Sequence, residues 1–153
     1  MKKVLFVCTA GICRSPMAAA IFDALAEERR LPFRAESAGV SALEGEPMAP
    51  NALLALEKVG IYPQEHRARQ VSEAMLKEAD LVLAMSPRHA AALNERFGSR
   101  LDNKLHTLPE YASGGDQSGE GIPDPYGLTI TAYRASVRQL LVHVERVVGR
   151  LGG

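Results

Sequence analysis

A cysteine, an arginine and a serine lie close together near the N-terminus. The segment reads Cys8-Thr9-Ala10-Gly11-Ile12-Cys13-Arg14-Ser15. A cysteine thiolate is a strong nucleophile, and an arginine can bind a tetrahedral anion through two parallel hydrogen bonds. The spacing Cys-x5-Arg-Ser therefore predicts a loop that binds a phosphate group and carries its own nucleophile. The alternative interpretation is a cysteine that packs as a small hydrophobic residue.

The position of this segment between two predicted elements favours the functional interpretation. Residues 4–7 are continuously apolar and predict a buried strand, while Pro16 suits the first turn of a following helix. Backbone N–H groups at such a junction point outward, and the helix dipole favours an anion there. A thiol at Cys8 is expected to ionise readily in that setting. Gly11 permits the positive φ that lets successive amides converge on one point.

A second candidate group, Asp124, lies between two prolines at the end of a Gly- and Ser-rich loop over residues 112–123. The prolines restrict its backbone, and a carboxyl group on a stiff loop can protonate the oxygen that leaves a phosphate ester. The length of the loop also favours a functional role. Tyr126 is expected to form a wall for an aromatic ring. An ordinary Asx-Pro turn is the alternative interpretation of Asp124.

Alternating strand and helix patterns predict an α/β fold. Strands are predicted over residues 3–7, 33–38, 81–85 and 104–108. Helices are predicted to begin at Pro16, Pro50, Ser72 and Ser86-Pro87, and the last over residues 130–148. This order predicts a single domain over residues 1–153, with a four-stranded parallel sheet, helices on both faces and a phosphate-binding loop after strand 1. Ligands bind such sheets at the C-terminal ends of the strands, where Cys8 lies.

Composition and charge argue against several other functions. The net charge is zero, so nucleic-acid binding is not expected. The two cysteines share one loop and the four histidines are scattered singly, so we expect no disulfide framework, no metal site and no cofactor. The first residues imitate a signal peptide, but the apolar run is too short, and no stretch approaches the length of a membrane span. We expect a cytoplasmic protein without a membrane partner, present as a monomer or weak dimer.

The chain resembles the low-molecular-weight protein tyrosine phosphatase family from Val4 to the last predicted helix. The motifs that carry the resemblance are, in order, Cys-x5-Arg-Ser-Pro, Ser37-Ala38-Gly39, His66-x-x-Arg69-Gln70 and Asp124-Pro125-Tyr126. The resemblance implies a four-stranded parallel sheet and hydrolysis of phosphate monoesters without a metal ion. It implies a cysteinyl-phosphate intermediate. It also implies that the substrate is a protein that carries phosphotyrosine.

The resemblance also implies a role for each motif residue. Cys8 is the nucleophile, Arg14 holds the phosphoryl group, and Asp124 protonates the leaving oxygen and then activates water as a base. Ser15 donates its hydroxyl toward the Cys8 sulfur. Substrate-binding residues are expected at Thr9, Ala10, Gly11, Ile12, Cys13, Ser15 and Tyr126.

Two residues outside the loop, Ser37 and His66, resemble the family residues that brace it from behind. Family members commonly have Gly-Asn where this chain has Ala10-Gly11. Gly11 adopts the left-handed backbone without strain, but it has no side chain to bond the bracing residues. A softer loop is therefore expected. The family also often has a second aromatic residue where this chain has Gly127, so the aromatic slot is expected to depend on Tyr126 alone.

Three other functions are compatible with parts of this pattern. Bacterial protein arginine phosphatases resemble the chain, including residues 81–85 and 108–111, but tend to carry Thr at the position of Ile12. The apolar Ile12 favours phosphotyrosine over phosphoarginine. An arsenate reductase would need further cysteines outside the loop, and none follows Cys13. An anion-binding module without catalysis would need only the loop amides and Arg14.

Two interpretations of Cys13 stay open. In one, its side chain packs beneath the loop as a small hydrophobic group. In the other, Cys13 forms a reversible disulfide with Cys8 and protects the reactive thiolate from further oxidation. The sequence does not give the Cα separation that a disulfide requires.

Overall fold

The computed structural model describes residues 2–98, 101, 103–115 and 121–152. Within these residues, four parallel strands form one sheet in the order β2-β1-β3-β4. The strands are β1 (Lys2–Cys8), β2 (Phe33–Gly39), β3 (Leu81–Ala84) and β4 (Leu105–Thr107). The predicted α/β class and the four-stranded parallel sheet are confirmed.

Six helices connect and flank the strands in the described part of the chain. They are α1 (Arg14–Glu28), α2 (Pro50–Lys58), α3 (Glu73–Glu78), α4 (Pro87–Phe97), α5 (Leu108–Ala112) and α6 (Ile130–Gly152). The predicted N-caps of α3 and α4 are confirmed, because the Ser72 and Ser86 hydroxyls accept from the Met75 and His89 N–H groups. No helix in the described ranges is both long and apolar enough to cross a membrane.

Helix α5 was not expected from the sequence. Residues 104–108 predict a strand that runs into a loop, yet the strand ends at Thr107 and a short helix begins at Leu108. The Thr107 hydroxyl accepts from the Glu110 N–H, and Pro109 occupies the first turn, so this stretch carries ordinary helix-start signals. The predicted loop over residues 112–123 therefore begins at the end of α5, and its residues 116–120 lie outside the described ranges.

The central strand β1 is buried on both faces. Val4, Phe6 and Cys8 face a core formed with helices α1, α2, α5 and α6, and Phe6 packs edge-on against Phe22 of α1. Leu5 and Val7 face a smaller core with helices α3 and α4. The continuous apolar run of the sequence is explained by this placement, since a strand covered on both sides needs no polar alternation. Helices on both faces of the sheet are thereby confirmed.

The ends of β1 and β2 place the loop that follows β1. Cys8 is the last residue of β1 and pairs with Gly39, the last residue of β2. A Cβ atom on Gly39 would lie 2.5 Å from the Thr9 carbonyl oxygen and 2.9 Å from the Gly11 nitrogen, so a side chain there would collide with the loop backbone. Two further bonds join the segments, because the Val40 and Ser41 N–H groups donate to the Cys8 and Thr9 carbonyls, each at 2.9 Å. The loop thus lies on the backbone of β2.

Candidate active site

The Cys8 sulfur is buried at the base of the loop between β1 and α1. The Ser15 hydroxyl oxygen lies 3.0 Å from it, and the Gly11 N–H donates to it at 3.3 Å. Gly11 has a φ of +72°, which turns its N–H back toward the sulfur. The single Ser15 proton has a second acceptor, the Ala38 carbonyl at 3.3 Å. A negative sulfur attracts that proton more strongly than a neutral carbonyl, so both donors stabilise the thiolate.

The Arg14 side chain is buried, with 4% of its surface exposed, yet it is not enclosed by counter-charges. One terminal nitrogen donates to the Ile122 carbonyl at 3.1 Å, and the other donates to the Thr9 hydroxyl at 3.4 Å. That second nitrogen also lies 3.5 Å from a carboxylate oxygen of Asp124. Its Nε has no partner in the described part of the chain. A buried donor without a partner is costly, and a phosphoryl oxygen would satisfy it.

Asp124 forms an Asx turn and also faces the cavity, so the turn and the proton-donor interpretations of its sequence are compatible. One carboxylate oxygen accepts from the Tyr126 N–H at 3.1 Å, which is an Asx turn, and the other faces Arg14. The turn therefore fixes the carboxyl group, and about half of its side chain remains open to solvent. A half-exposed carboxyl beside the anion-binding arginine can exchange a proton with both a substrate oxygen and water.

A cavity of about 500 Å³ opens above the Cys8 sulfur. Its floor is the loop over residues 8–14, and its rim contains Leu43, Glu46, Asp124 and Tyr126. Leu43 and Tyr126 are largely exposed, at 71% and 63%. Among the described lining residues Tyr126 is the one aromatic side chain, as expected, and Leu43 and Ile12 add aliphatic surface beside it. The structure thus brings Cys8, Arg14, Asp124 and the predicted substrate-binding loop into one cavity.

The two predicted bracing residues behave differently. The His66 Nε2 donates to the Gly11 carbonyl at 2.7 Å, and burial lowers the pKa of its imidazole. His66 thus bonds the backbone of Gly11, so this contact does not need a side chain at that position. Ser37 is buried on β2, but no hydrogen bond in the described ranges joins it to the loop. Support by Ser37 stays a prediction.

Cys13 lies beneath the loop, against the core. Its sulfur is 3.4 Å from the Tyr133 hydroxyl of α6, and both side chains are almost fully buried. Burial raises the pKa of the Cys13 thiol, which keeps it protonated and less reactive. Both cysteines are free thiols. This contact favours the packing interpretation of Cys13, and the disulfide with Cys8 stays a prediction.

His89 contacts the active-site loop although it was not among the residues predicted for the site. The ring is buried, with Nε2 2.8 Å from the Thr9 hydroxyl and Nδ1 2.8 Å from the Ser86 hydroxyl. Burial above all, and then the charges of Arg14 and Arg88, lower its pKa to about 4. Ser86-x-x-His89 at a predicted helix start was the only local signal, because the contact with Thr9 joins residues 80 positions apart.

Known proteins resemble the whole chain. Residues 3–151 match the family model described as low molecular weight phosphotyrosine protein phosphatase. The chain belongs to this family. It is therefore a hydrolase of phosphate monoesters, as the resemblance of its motifs implied. Groups of three or more His, Cys, Asp or Glu that could hold a metal ion are absent from the described residues of this phosphatase.

Relatives within the family carry two different activities in their names. A protein-arginine-phosphatase of Geobacillus stearothermophilus is 39% identical over 97% of this chain and 95% of its own. The low molecular weight protein-tyrosine-phosphatase YfkJ of Bacillus subtilis is 36% identical over 82% of this chain and 81% of its own. The crystal structure of a low molecular weight protein tyrosine phosphatase from T. tengcongensis superposes with a TM-score of 0.91 at 36% identity, covering 99% of this chain and all of that one.

The buried neutral His89 makes the stability of the phosphatase depend on pH. An imidazole in the unfolded chain titrates near 6.5, whereas the buried ring titrates near 4, so the unfolded state takes up the proton first as the pH falls. The free energy of unfolding is expected to decrease by up to about 3 kcal/mol between these pH values, with no contribution from His89 above pH 6.5.

Urea denaturation at pH 7 and pH 4.5 measures this effect. Because burial also lowers the pKa of His66 and His143, the quantity to compare is the pH dependence of wild type against that of His89→Gln, which cannot titrate. The variant is expected to lose less stability on acidification than the wild type does. An equal loss in both proteins would contradict a neutral His89 ring in the folded state.

Proposed function

We propose that this phosphatase hydrolyses phosphotyrosine in proteins through a cysteinyl-phosphate on Cys8. The observation that carries the proposal is the Cys8 sulfur, which receives donors from Ser15 and Gly11 at the floor of a cavity that also holds Arg14 and Asp124. A binding module would need the amides and the arginine, but not a nucleophile aligned with them and a carboxyl group above it.

The first chemical step transfers the phosphoryl group to sulfur. The Cys8 thiolate attacks phosphorus, a sulfur–phosphorus bond forms, and the bond from phosphorus to the tyrosine oxygen breaks. The protonated Asp124 gives its proton to that oxygen, so tyrosine leaves as a neutral phenol. The loop amides and Arg14 bind the three remaining phosphoryl oxygens, and their fixed dipoles stabilise the charge of the transition state.

The second step returns the enzyme to its starting state. The Asp124 carboxylate takes a proton from a water molecule, whose oxygen attacks phosphorus as the sulfur–phosphorus bond breaks. Cys8 leaves as a thiolate, and the hydroxyl of Ser15, 3.0 Å from the sulfur, stabilises it. Inorganic phosphate then departs. Because Asp124 is about half exposed, water can reach it once the phenol has left.

The rim of the cavity supports phosphotyrosine as the substrate class. Ile12, Leu43 and Tyr126 present apolar surface that a phenyl ring can cover. A second candidate is phosphoarginine, because the relative from Geobacillus stearothermophilus, which is 39% identical, is named a protein-arginine-phosphatase. The rim carboxylates of Glu46 and Asp124 are groups that a guanidinium can contact.

We also propose that residues 1–153 act as one domain, in the cytoplasm, as a monomer or weak dimer. The single-domain proposal is supported by the sheet, since both buried clusters meet at β1. The partner is a phosphorylated protein, which fits the open rim of the cavity. Gel filtration with light scattering measures the oligomeric state directly.

Replacement of the nucleophile separates catalysis from binding. Cys8→Ser is expected to abolish hydrolysis of aryl phosphates, because an unactivated serine hydroxyl is a poor nucleophile. Phosphate binding should persist, since the amides and Arg14 remain. Turnover is measured with para-nitrophenyl phosphate and binding with inorganic phosphate by calorimetry. Full activity of the variant, or loss of wild-type activity on addition of a chelator, would overturn the cysteinyl-phosphate proposal.

Asp124→Asn tests the proton donor. The variant is expected to hydrolyse phosphotyrosine about 10²–10⁴-fold more slowly, the usual range for a general acid. The loss should shrink for aryl phosphates whose leaving phenol is already acidic, because such a phenolate needs no proton. Rates are measured over a series of substituted phenyl phosphates. Equal losses across the series would assign Asp124 a structural role in the Asx turn instead.

Ile12→Thr tests the substrate class. Loss of apolar surface at the cavity wall is expected to lower kcat/KM on phosphotyrosine relative to phosphoarginine by roughly 10–200-fold. Matched peptides with either residue are assayed with both proteins. A wild type that prefers phosphoarginine would replace the first proposal with the second. An unchanged ratio would assign specificity to Leu43 and Tyr126, and Leu43→Ser is the matched variant for that outcome.

A further inference from the structure

A chain of three hydrogen-bonded side chains lies behind the arginine of the active site. The Arg14 terminal nitrogen contacts the Thr9 hydroxyl at 3.4 Å, the hydroxyl contacts His89 Nε2 at 2.8 Å, and His89 Nδ1 contacts the Ser86 hydroxyl at 2.8 Å. Thr9 belongs to the loop, whereas Ser86 and His89 lie at the start of α4. The chain therefore links the anion-binding arginine to an element on the opposite face of the sheet.

Every contact in this chain fits a neutral His89 ring. A guanidinium only donates, so the Thr9 oxygen accepts from Arg14, and the Thr9 proton stays available to His89 Nε2. When Thr9 donates that proton, Nε2 is the unprotonated nitrogen and the proton on Nδ1 donates to the Ser86 oxygen. The neutral ring satisfies all these contacts at once. A protonated ring would have to donate at Nε2 and would place a second positive charge beside Arg14.

We propose that His89, acting through the Thr9 hydroxyl, is a positioning residue that fixes the Arg14 guanidinium in its anion-binding orientation. The proposal rests on the proposed function, in which Arg14 holds the phosphoryl group. Neither Thr9 nor His89 touches the reacting atoms through this contact. They act on the orientation of the guanidinium plane.

The changing charge of Asp124 explains why such a contact is needed. The terminal nitrogen near Thr9 is also 3.5 Å from an Asp124 oxygen, and Asp124 alternates between neutral acid and carboxylate during the reaction. Its attraction for Arg14 therefore varies from step to step. The Ile122 carbonyl holds only the other terminal nitrogen. The Thr9 hydroxyl, oriented by His89, stays neutral throughout the reaction, so its contact with Arg14 does not change from step to step.

Two substitutions of His89 separate this role from packing. A Gln side chain reaches about as far as imidazole Nε2 and can keep the Thr9 contact, whereas Asn reaches about as far as Nδ1 and can keep only the Ser86 contact. His89→Asn is expected to lower kcat for an aryl phosphate about 10-fold, and His89→Gln to stay within about 3-fold of the wild type. Thermal melts show whether both variants are folded. Equal kcat values for the two folded variants would overturn the proposal.

A double-mutant cycle tests the route through Thr9. Thr9→Val keeps the shape and removes the hydroxyl, and it is also expected to lower kcat about 10-fold. Combined with His89→Asn, the loss should remain near 10-fold rather than multiply to about 100-fold, because both changes break one chain. Multiplying losses would overturn the proposal. Thr9→Ser, which keeps the hydroxyl, should restore activity, and its failure to do so would also count against the chain.

Two controls keep this result separate from the proposed function. His143→Asn removes a histidine of α6 that does not line the cavity and should leave kcat unchanged. Affinity for inorganic phosphate, measured by calorimetry, requires no turnover and should fall in His89→Asn but not in His89→Gln. If the wild type does not hydrolyse aryl phosphates but the two variants still differ in phosphate affinity, only the proposed function is overturned. If the wild type is active but the two variants bind phosphate equally, only the positioning role is overturned.

Discussion

The site depends on how closely the loop after β1 packs against the end of β2. The backbone of Gly39 approaches the loop so closely that a Cβ atom would lie 2.5 Å from the Thr9 carbonyl oxygen. With the loop held there, the positive φ of Gly11 turns its amide toward the Cys8 sulfur, and its carbonyl meets His66 on the other side. All of these contacts use loop backbone. None of them needs a side chain at Gly11, while the softer loop expected from the missing asparagine stays a prediction.

The buried arginine shows what this placement of the loop makes possible. Removing a guanidinium from water is costly, and the described groups around Arg14 compensate only in part. Two of its three nitrogens have partners, and the carboxylate of Asp124 lies at 3.5 Å, longer than a strong ion pair. The buried Nε has no partner among the described residues, and Arg14 lines the cavity together with the loop over residues 8–13. In the proposed function the phosphoryl group supplies the negative charge that the folded protein does not provide to Arg14.

Short-range signals explain which parts of this site could be predicted from the sequence. The apolar run before Cys8, the caps at Ser72 and Ser86, and the cysteine–arginine spacing each depend on neighbours along the chain, and these features are where the sequence indicated. The contacts of His89 with Thr9 and of Cys13 with Tyr133 join residues 80 and 120 positions apart. They arise because the strand order places β3 beside β1 and α6 against α1, which no local pattern records. Helix α5 is a different case, since its cap Thr107 lies within the stretch that predicts a strand and Pro109 directly follows that stretch.

The cavity divides into a floor and a rim, and this division is one way in which relatives of similar identity can have different activities. In the proposed function the floor, formed by Cys8, Arg14 and the loop amides, binds the phosphoryl group and not the group attached to it. The attached group meets only the rim, where Leu43 and Tyr126 are exposed and bound to little else. Discrimination by one apolar wall is worth about 1–3 kcal/mol, which one or two rim side chains can supply or cancel. Overall identity is dominated by residues that build the fold, so we expect these few rim positions, rather than identity, to decide between phosphotyrosine and phosphoarginine.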